Sequence, residues 1–230
     1  MATKYYKTKL IKRSTDSMLI ASYNPAGMGD NLIVLTNNQT ESFHVNHQGN
    51  VIQFITDNSE LIGYNFINIS ETLDLSNVSG QVFLSKEQVS ELNKLIEKSG
   101  FSEKLVVDEE PKFVVGYVET AEPHPDSDHL QVTTTVIDND QRVQIVSGSP
   151  NMQQGIKVVV AKVGAMMPSG LIIWPGELRG VVSNGMISSG RELHLPNAPQ
   201  VPGALILPDD FAPVGTPFDV NSAAAQSLFE

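Results

Sequence analysis

The sequence predicts an α+β N-terminal domain, an antiparallel sheet with one helix, followed by an all-β five-stranded Greek-key barrel. Three observations predict it. Residues 1–110 carry short runs rich in Ile, Val, Phe and Tyr that close on a single helical pattern. Residues 111–220 carry five more β-rich runs set between Gly, Pro, Asn and Asp punctuation. Between them Asp108-Glu109-Glu110-Pro111 makes a short acidic break ending in a residue that cannot continue a helix. The domains are therefore expected at 1–110 and 111–220, with 221–230 as a C-terminal tail.

The first-domain strands are expected at Met18 to Tyr23, Asn31 to Thr36, Glu41 to Val45, Val51 to Thr56 and Leu61 to Ile69. His47-Gln48-Gly49-Asn50 reads as a hairpin turn. Gly27-Met28-Gly29-Asp30, after Asn24-Pro25, offers a glycine pair, yet it lacks a third glycine and a following Lys-Ser/Thr, so it is read as a turn rather than a phosphate cradle. Ser85-Lys86-Glu87-Gln88 has the S-x-x-Q pattern of a capping box, in which the serine hydroxyl accepts from a free amide and the glutamine reaches back. Val89, Leu92, Leu95 and Ile96 then recur at helical spacing until Gly100 stops the helix.

In the barrel, Phe113 to Val118 alternates between two faces, and Gly116 permits the bend of a curved strand. Pro123 and Pro125 end it. Leu130 to Ile137 follows, then the turn Asp138-Asn139-Asp140, Arg142 to Val146, the β-branched run Lys157 to Val163, and Leu171 to Trp174 after Pro168-Ser169-Gly170. Five strands are the complement of an OB-fold, whose open face and loops commonly bind oligonucleotides.

Composition narrows the function. The chain has 230 residues, 40% of them hydrophobic, and no cysteine, which excludes disulfides and thiolate metal sites. No apolar run reaches the roughly 18–20 residues of a membrane span, and the lysine-rich start lacks the apolar stretch of a secretory signal. A cytoplasmic location is expected, so the Asn-x-Ser/Thr triplets at Asn38, Asn68 and Asn77 are read as turn chemistry. Net charge is −11, shared as −5 over residues 1–110 (9 basic, 14 acidic) and −6 over residues 111–230 (6 basic, 12 acidic). Phosphate neutralisation supplies most of a nucleic-acid binder's affinity, so any RNA binding here is expected to be weak and steeply salt-sensitive. The densest basic stretch is Lys4, Lys7, Lys9, Lys12 and Arg13.

Three blocks carry the rest of the argument: His124-Pro125-Asp126-Ser127-Asp128, Ser147-Gly148-Ser149-Pro150-Asn151, and Leu178-Arg179-Gly180-Val181-Val182-Ser183-Asn184-Gly185-Met186. In this order, between β-rich runs, they resemble the tRNA-binding OB-fold domain of free-standing bacterial tRNA-binding proteins. The same domain occurs in the phenylalanyl-tRNA synthetase β chain and the C-terminal extension of methionyl-tRNA synthetase. The first half resembles the region that accompanies it in YtpR-like proteins, and the resemblance supplies no role for that region.

His124, Asp126, Asp128 and His129 put four possible metal ligands within six residues, but Pro125 stiffens the segment and alternation separates Asp128 from His129, so no metal and no cofactor is expected. Gly148-Ser149-Pro150 and Gly180 to Gly185 both miss the G-x-S-x-G turn of a hydrolase, so no enzyme is expected.

The expected RNA-binding residues are His129, Lys162, Arg179, Ser183, Asn184, Met186 and Arg191. By itself the Ser183-Asn184-Gly185-Met186 segment also fits a turn with a core methionine. The resemblance places the family's Ser-x-Gly-Met motif at the tRNA surface, with Ser188-Ser189 replacing its usual Cys-Ser and Glu192-Leu193 kept. Ser183 and Asn184 can hydrogen-bond bases or sugars, and Met186 can support a base. Lys162, Arg179 and Arg191 are the available phosphate contacts. His129 stands where the family carries lysine, so binding is expected to strengthen below about pH 6.5 as imidazole protonates. Trp174 is a candidate stacking residue, although a lone tryptophan in an apolar hairpin also fits a core.

The expected function is non-catalytic binding of tRNA by shape and unpaired nucleotides; the alternative is a protein-interaction module that keeps the barrel and has lost most RNA affinity. A homodimer and an aminoacyl-tRNA synthetase are the other expected partners, with neither membrane nor DNA among them. The tail suits either dimerisation or a frayed end.

Overall fold

The structure is a computed structural model and describes residues 18–39 and 42–230. The Lys4 to Arg13 cluster lies outside the described residues. The N-terminal part runs β1 (Ile20–Tyr23), a single helical turn α1 (Pro25–Met28), β2 (Asn31–Leu35), β3 (Phe43–Gln48), β4 (Val51–Thr56), β5 (Leu61–Ile67), β6 (Gly80–Val82) and α2 (Lys86–Lys98). The strands form one antiparallel sheet in the order β3-β4-β5-β2-β1-β6. Helix α2 begins with the expected capping box: the Gln88 amide donates to Ser85 Oγ, and the Gln88 side chain accepts from the Ser85 N–H. Its apolar stripe of Val89, Leu92 and Ile96 packs on Leu32, Val34, Tyr64 and Phe66 of the sheet.

Period-2 runs set most of these strands, and β6 was not expected. Three residues are too few to show a period, and β6 exists because it pairs with β1, Val82 lying opposite Ala21. A polar tether holds the segment after α2 to the sheet. The Tyr64 hydroxyl donates to the Glu103 carbonyl (2.7 Å) and accepts from the Gln53 amide (3.0 Å), which also reaches the Glu103 carboxylate (2.7 Å).

The second part runs β7 (Phe113–Pro123), β8 (Gln131–Val136), β9 (Arg142–Ser147), β10 (Lys157–Ala161), β11 (Gly176–Leu178), β12 (Val181–Ser183), β13 (Met186–Ile187), β14 (Ile206–Leu207) and a short α3 (Ala223–Gln226). Five antiparallel strands stand in the order β13-β10-β7-β8-β9. The Asn184 amide donates to the Gln144 carbonyl at 2.9 Å, bringing the 183–187 stretch back against β9. The result is a nearly closed barrel of OB type filled by Val114, Val118, Ile145, Val158, Val160 and Ile187. Gly116 faces inward, where a Cβ would stand 2.6 Å from the Val160 side chain, so the glycine is required by packing as well as curvature.

The fifth strand differs from expectation. Leu171 to Trp174 is not a barrel strand; the tight turn at 168–170 folds it back on residues 164–167, with Met167 N donating to Leu171 O and Ile173 N to Ala165 O. The fifth strand is β13, only two residues long and therefore hidden from any period. The tail packs on the barrel: Ala225 is fully buried, Leu228 and Phe229 join the cluster of Val115, Val159 and Leu193, and the Phe229 ring occupies the space a Cβ on Gly190 would need.

Candidate nucleic-acid interface

The three sequence blocks converge at one end of the barrel. His124 is 3% exposed, and its ring is held at both nitrogens: Nδ1 accepts the Asp126 N–H at 3.0 Å and Nε2 donates to the Leu178 carbonyl at 3.0 Å. This pattern selects the neutral Nε2–H tautomer. Both ring nitrogens are thus taken by backbone partners, and among the described residues no group of three or more His, Asp or Glu side chains comes together. The histidine instead ties the 124–129 loop to the β11–β12 hairpin.

That hairpin turns through Arg179 (φ 48°) and Gly180 (φ 79°), the left-handed pair of a type I′ turn. Arg179 is an unusual residue for the first position, because a long side chain gains nothing from left-handed backbone. Its Nη1 donates to the Asp126 carbonyl at 3.1 Å, a second link between hairpin and loop, and its guanidinium stays at the surface. His129 is exposed beside it and its Nδ1 lies 2.9 Å from Asp128 Oδ1. Hydrogen bonding from His129, with smaller contributions from the charges of His129 and Arg179, holds the Asp128 carboxyl below the usual carboxylate range. A carboxylate thus stands beside the side chains expected to meet phosphate.

Ser183 is buried rather than presented to a ligand. Its Oγ accepts the Val146 N–H at 3.1 Å and donates to the Gly185 carbonyl at 3.3 Å, which stitches β12 to β9. The expectation that it touches RNA is corrected accordingly: both capacities of the hydroxyl are used inside the barrel. Asn184 follows with its amide N–H on Gln144 and its side chain half-buried at the rim, where no described residue bonds it. Met186 is half-buried, lies opposite Ala161 and packs against the cluster containing Val115 and Leu193, so it offers an edge and not a face. Trp174 is likewise half-buried.

Lys162 is the clearest correction. It is 7% exposed, with Nζ 3.0 Å from both Asp138 oxygens and 3.2 Å from Glu110. It fastens the acidic break to the barrel and cannot reach a phosphate. The other cations of residues 111–230 are also engaged within the chain. Arg142 makes two hydrogen bonds to Glu119, Lys157 donates to the Asp209 and Ala212 carbonyls, and Lys112 pairs with Asp108. Among the described residues Arg191, exposed after Gly190, has no side-chain partner.

Sequence reasoning missed the face between these loops. Thr120, Thr134 and Gln144 line up across β7, β8 and β9, with Val132, Val136 and Val182 around them. Gln144 Nε2 donates to the Val182 carbonyl at 2.8 Å, so the hairpin lies against this face. Outward polar positions on β8 and β9 were the available signal, and only strand pairing could assemble them into one row. The surface can hydrogen-bond sugars and base edges, and its charged members are Glu122 opposite Val132 and Arg142, bonded to Glu119, opposite Val136.

Residues 113–217 match the family described as "Putative tRNA binding domain", and residues 38–108 match a domain of unknown function. The chain is 46% identical over 193 residues to the "Putative tRNA-binding protein YtpR" of Bacillus subtilis, spanning 83% of this chain and 95% of that protein. It is 47% identical over 102 residues to the phenylalanine–tRNA ligase β subunit of Acinetobacter baylyi, covering 44% of this chain and 12% of the subunit. The corresponding subunit of Shouchella clausii is 54% identical over 80 residues, covering 35% and 10%. The chain thus spans about a tenth of the ligase subunits it matches.

Proposed function

The chain belongs to the family of the Bacillus subtilis protein YtpR, and on that premise we propose that it binds tRNA through its barrel and performs no chemistry of its own. The observation that carries this reading is the match of the tRNA-binding family to the whole barrel, residues 113–217, whose open face is flanked by two interlocked loops. We assign Arg179, His129, Asn184 and Arg191 to the interface, with the Thr120-Thr134-Gln144 row between them; Met186 lends an apolar edge. With so little free charge, recognition rests on shape, sugar hydroxyls and unpaired bases. The absence of chemistry is supported by Ser183, whose hydroxyl is bonded to Val146 and Gly185 inside the barrel.

A cytoplasmic location, a homodimer and an association with an aminoacyl-tRNA synthetase belong to the same proposal. No helix of the described residues is long and apolar enough to cross a membrane. A second reading, a protein-interaction module, is favoured by one observation: five of the six cations in residues 111–230 are bonded within the chain. Competition binding separates the readings. Labelled tRNA displaced by unlabelled tRNA, and not by duplex DNA of equal length, supports the first, whereas no retention of tRNA supports the second.

A further inference from the structure

Asn184 is followed by Gly185, and no other asparagine of the chain precedes a glycine. An asparagine loses its amide when the backbone nitrogen of the next residue attacks the side-chain carbon, and glycine hinders that attack least because it carries no Cβ. The attacking nitrogen must also be free of other bonds. Among the described residues the Gly185 N–H has no acceptor and the Asn184 side chain has no partner. At two other exposed asparagines this nitrogen is engaged. After Asn58 the Ser59 N–H donates to the Thr56 carbonyl at 2.9 Å, and after Asn221 the Ser222 N–H donates to the Asp219 carbonyl at 3.1 Å.

The fold demands this glycine. Gly185 has a φ of 147°, and a Cβ there would stand 3.1 Å from the Ala161 carbonyl oxygen and 3.3 Å from the Ile145 side chain. The barrel therefore requires, next to Asn184, the residue that makes Asn184 reactive. Asn184 itself is half-buried between β12 and β13, at the rim assigned to tRNA.

We propose that Asn184 is a site of spontaneous deamidation and that the modified chain loses tRNA affinity; the second part rests on the tRNA reading of the rim. The Gly185 nitrogen bonds to Asn184 Cγ as the Cγ–Nδ2 bond breaks, and Nδ2 leaves as ammonia with the proton that the Gly185 nitrogen gave up. Water then opens the cyclic imide. Addition at Cγ gives aspartate, and addition at the backbone carbonyl gives isoaspartate, so the sum is one water consumed and one ammonia released. Aspartate adds a negative charge to a chain already at −11. Isoaspartate adds the same charge and lengthens the backbone by a carbon, which draws Gly185 away from Ala161 and loosens the Ser183 Oγ bond to its carbonyl. Either product sets a carboxylate where phosphate must approach.

The test ages the full chain in mildly alkaline buffer, follows each asparagine by peptide mass spectrometry and titrates labelled tRNA at intervals. Asn184 is expected to convert first, well ahead of Asn58 and Asn221, and the converted chain to bind tRNA at least about tenfold more weakly. Asn184→Asp is expected to show that loss at once with its circular dichroism spectrum intact. Asn184→Gln, whose longer side chain closes an imide poorly, is expected to show no further change in affinity on ageing. Conversion at Asn58 or Asn221 as fast as at Asn184 overturns the site, and a converted chain that binds tRNA like the fresh one overturns the consequence. A fresh wild type that binds no tRNA overturns the proposed function and the consequence with it, while the peptide masses still decide the site.

Discussion

His124 reaches across 54 residues of sequence to donate its Nε2–H to the Leu178 carbonyl at 3.0 Å, and the same ring takes the Asp126 amide at its other nitrogen. One buried side chain thereby sets the spacing of the two loops that flank the open face. His124→Ala removes a buried ring and leaves the Leu178 carbonyl and the Asp126 amide without that partner. We expect a loss of about 1–3 kcal/mol in stability from the lost bonds and packing, and weaker tRNA binding as the loops separate. Denaturant unfolding and a tRNA titration measure the two effects.

Ser183 and Asn184 are neighbours with different duties, and substitution distinguishes them. Ser183→Ala removes the acceptor for the buried Val146 N–H and is expected to lower stability by about 1–3 kcal/mol. Asn184→Ala leaves its backbone bond to Gln144 untouched, so the melting temperature should hold while tRNA affinity falls roughly threefold to tenfold. Paired melting curves and titrations check both.

Exposed and buried cations are separated by salt dependence. Arg179→Ala and Arg191→Ala should each lower the slope of log affinity against log salt by roughly one contact. Lys162→Met should leave the slope unchanged and cost stability on the order of 2 kcal/mol, because it strands Asp138 without its buried partner. Binding isotherms over a salt series decide the matter.

The Tyr64 hydroxyl is pushed up to about 12, first by burial and then by the charge of Glu103, with the Gln53 hydrogen bond opposing both. The folded state therefore holds this proton more tightly than the unfolded chain, whose tyrosines titrate near 10. Its contribution to stability is complete below about pH 10 and is lost as pH rises toward 12. Ultraviolet absorbance should show one tyrosine titrating late, together with unfolding, and Tyr64→Phe should remove that late step.

What the sequence disclosed follows from length and period. The capping box at Ser85 and the stripe Val89, Leu92, Ile96 are local signals, and α2 forms where they stand. Strands of four or more residues with alternating faces were legible; β6 and β13, with three and two residues, exist only through their partners. The same limit governed the interface. Arg179 and Asn184 were visible as residue types in a block, whereas the burial of Lys162 and Ser183 depends on Asp138 and Val146, distant residues that no spacing connects. The role of His124 was hidden for the same reason, its partner being a backbone oxygen.

The central claim is that this acidic chain docks tRNA on the rim formed by the 124–129 loop and the β11–β12 hairpin. Titration of labelled tRNA at about 50 mM salt into the wild type and an Arg179→Ala/Asn184→Ala variant tests it most directly. The account predicts saturable binding by the wild type, loss of at least about tenfold in the variant, and weakening of both at physiological salt. No binding by the wild type at low salt, or equal binding by a folded variant, would contradict it.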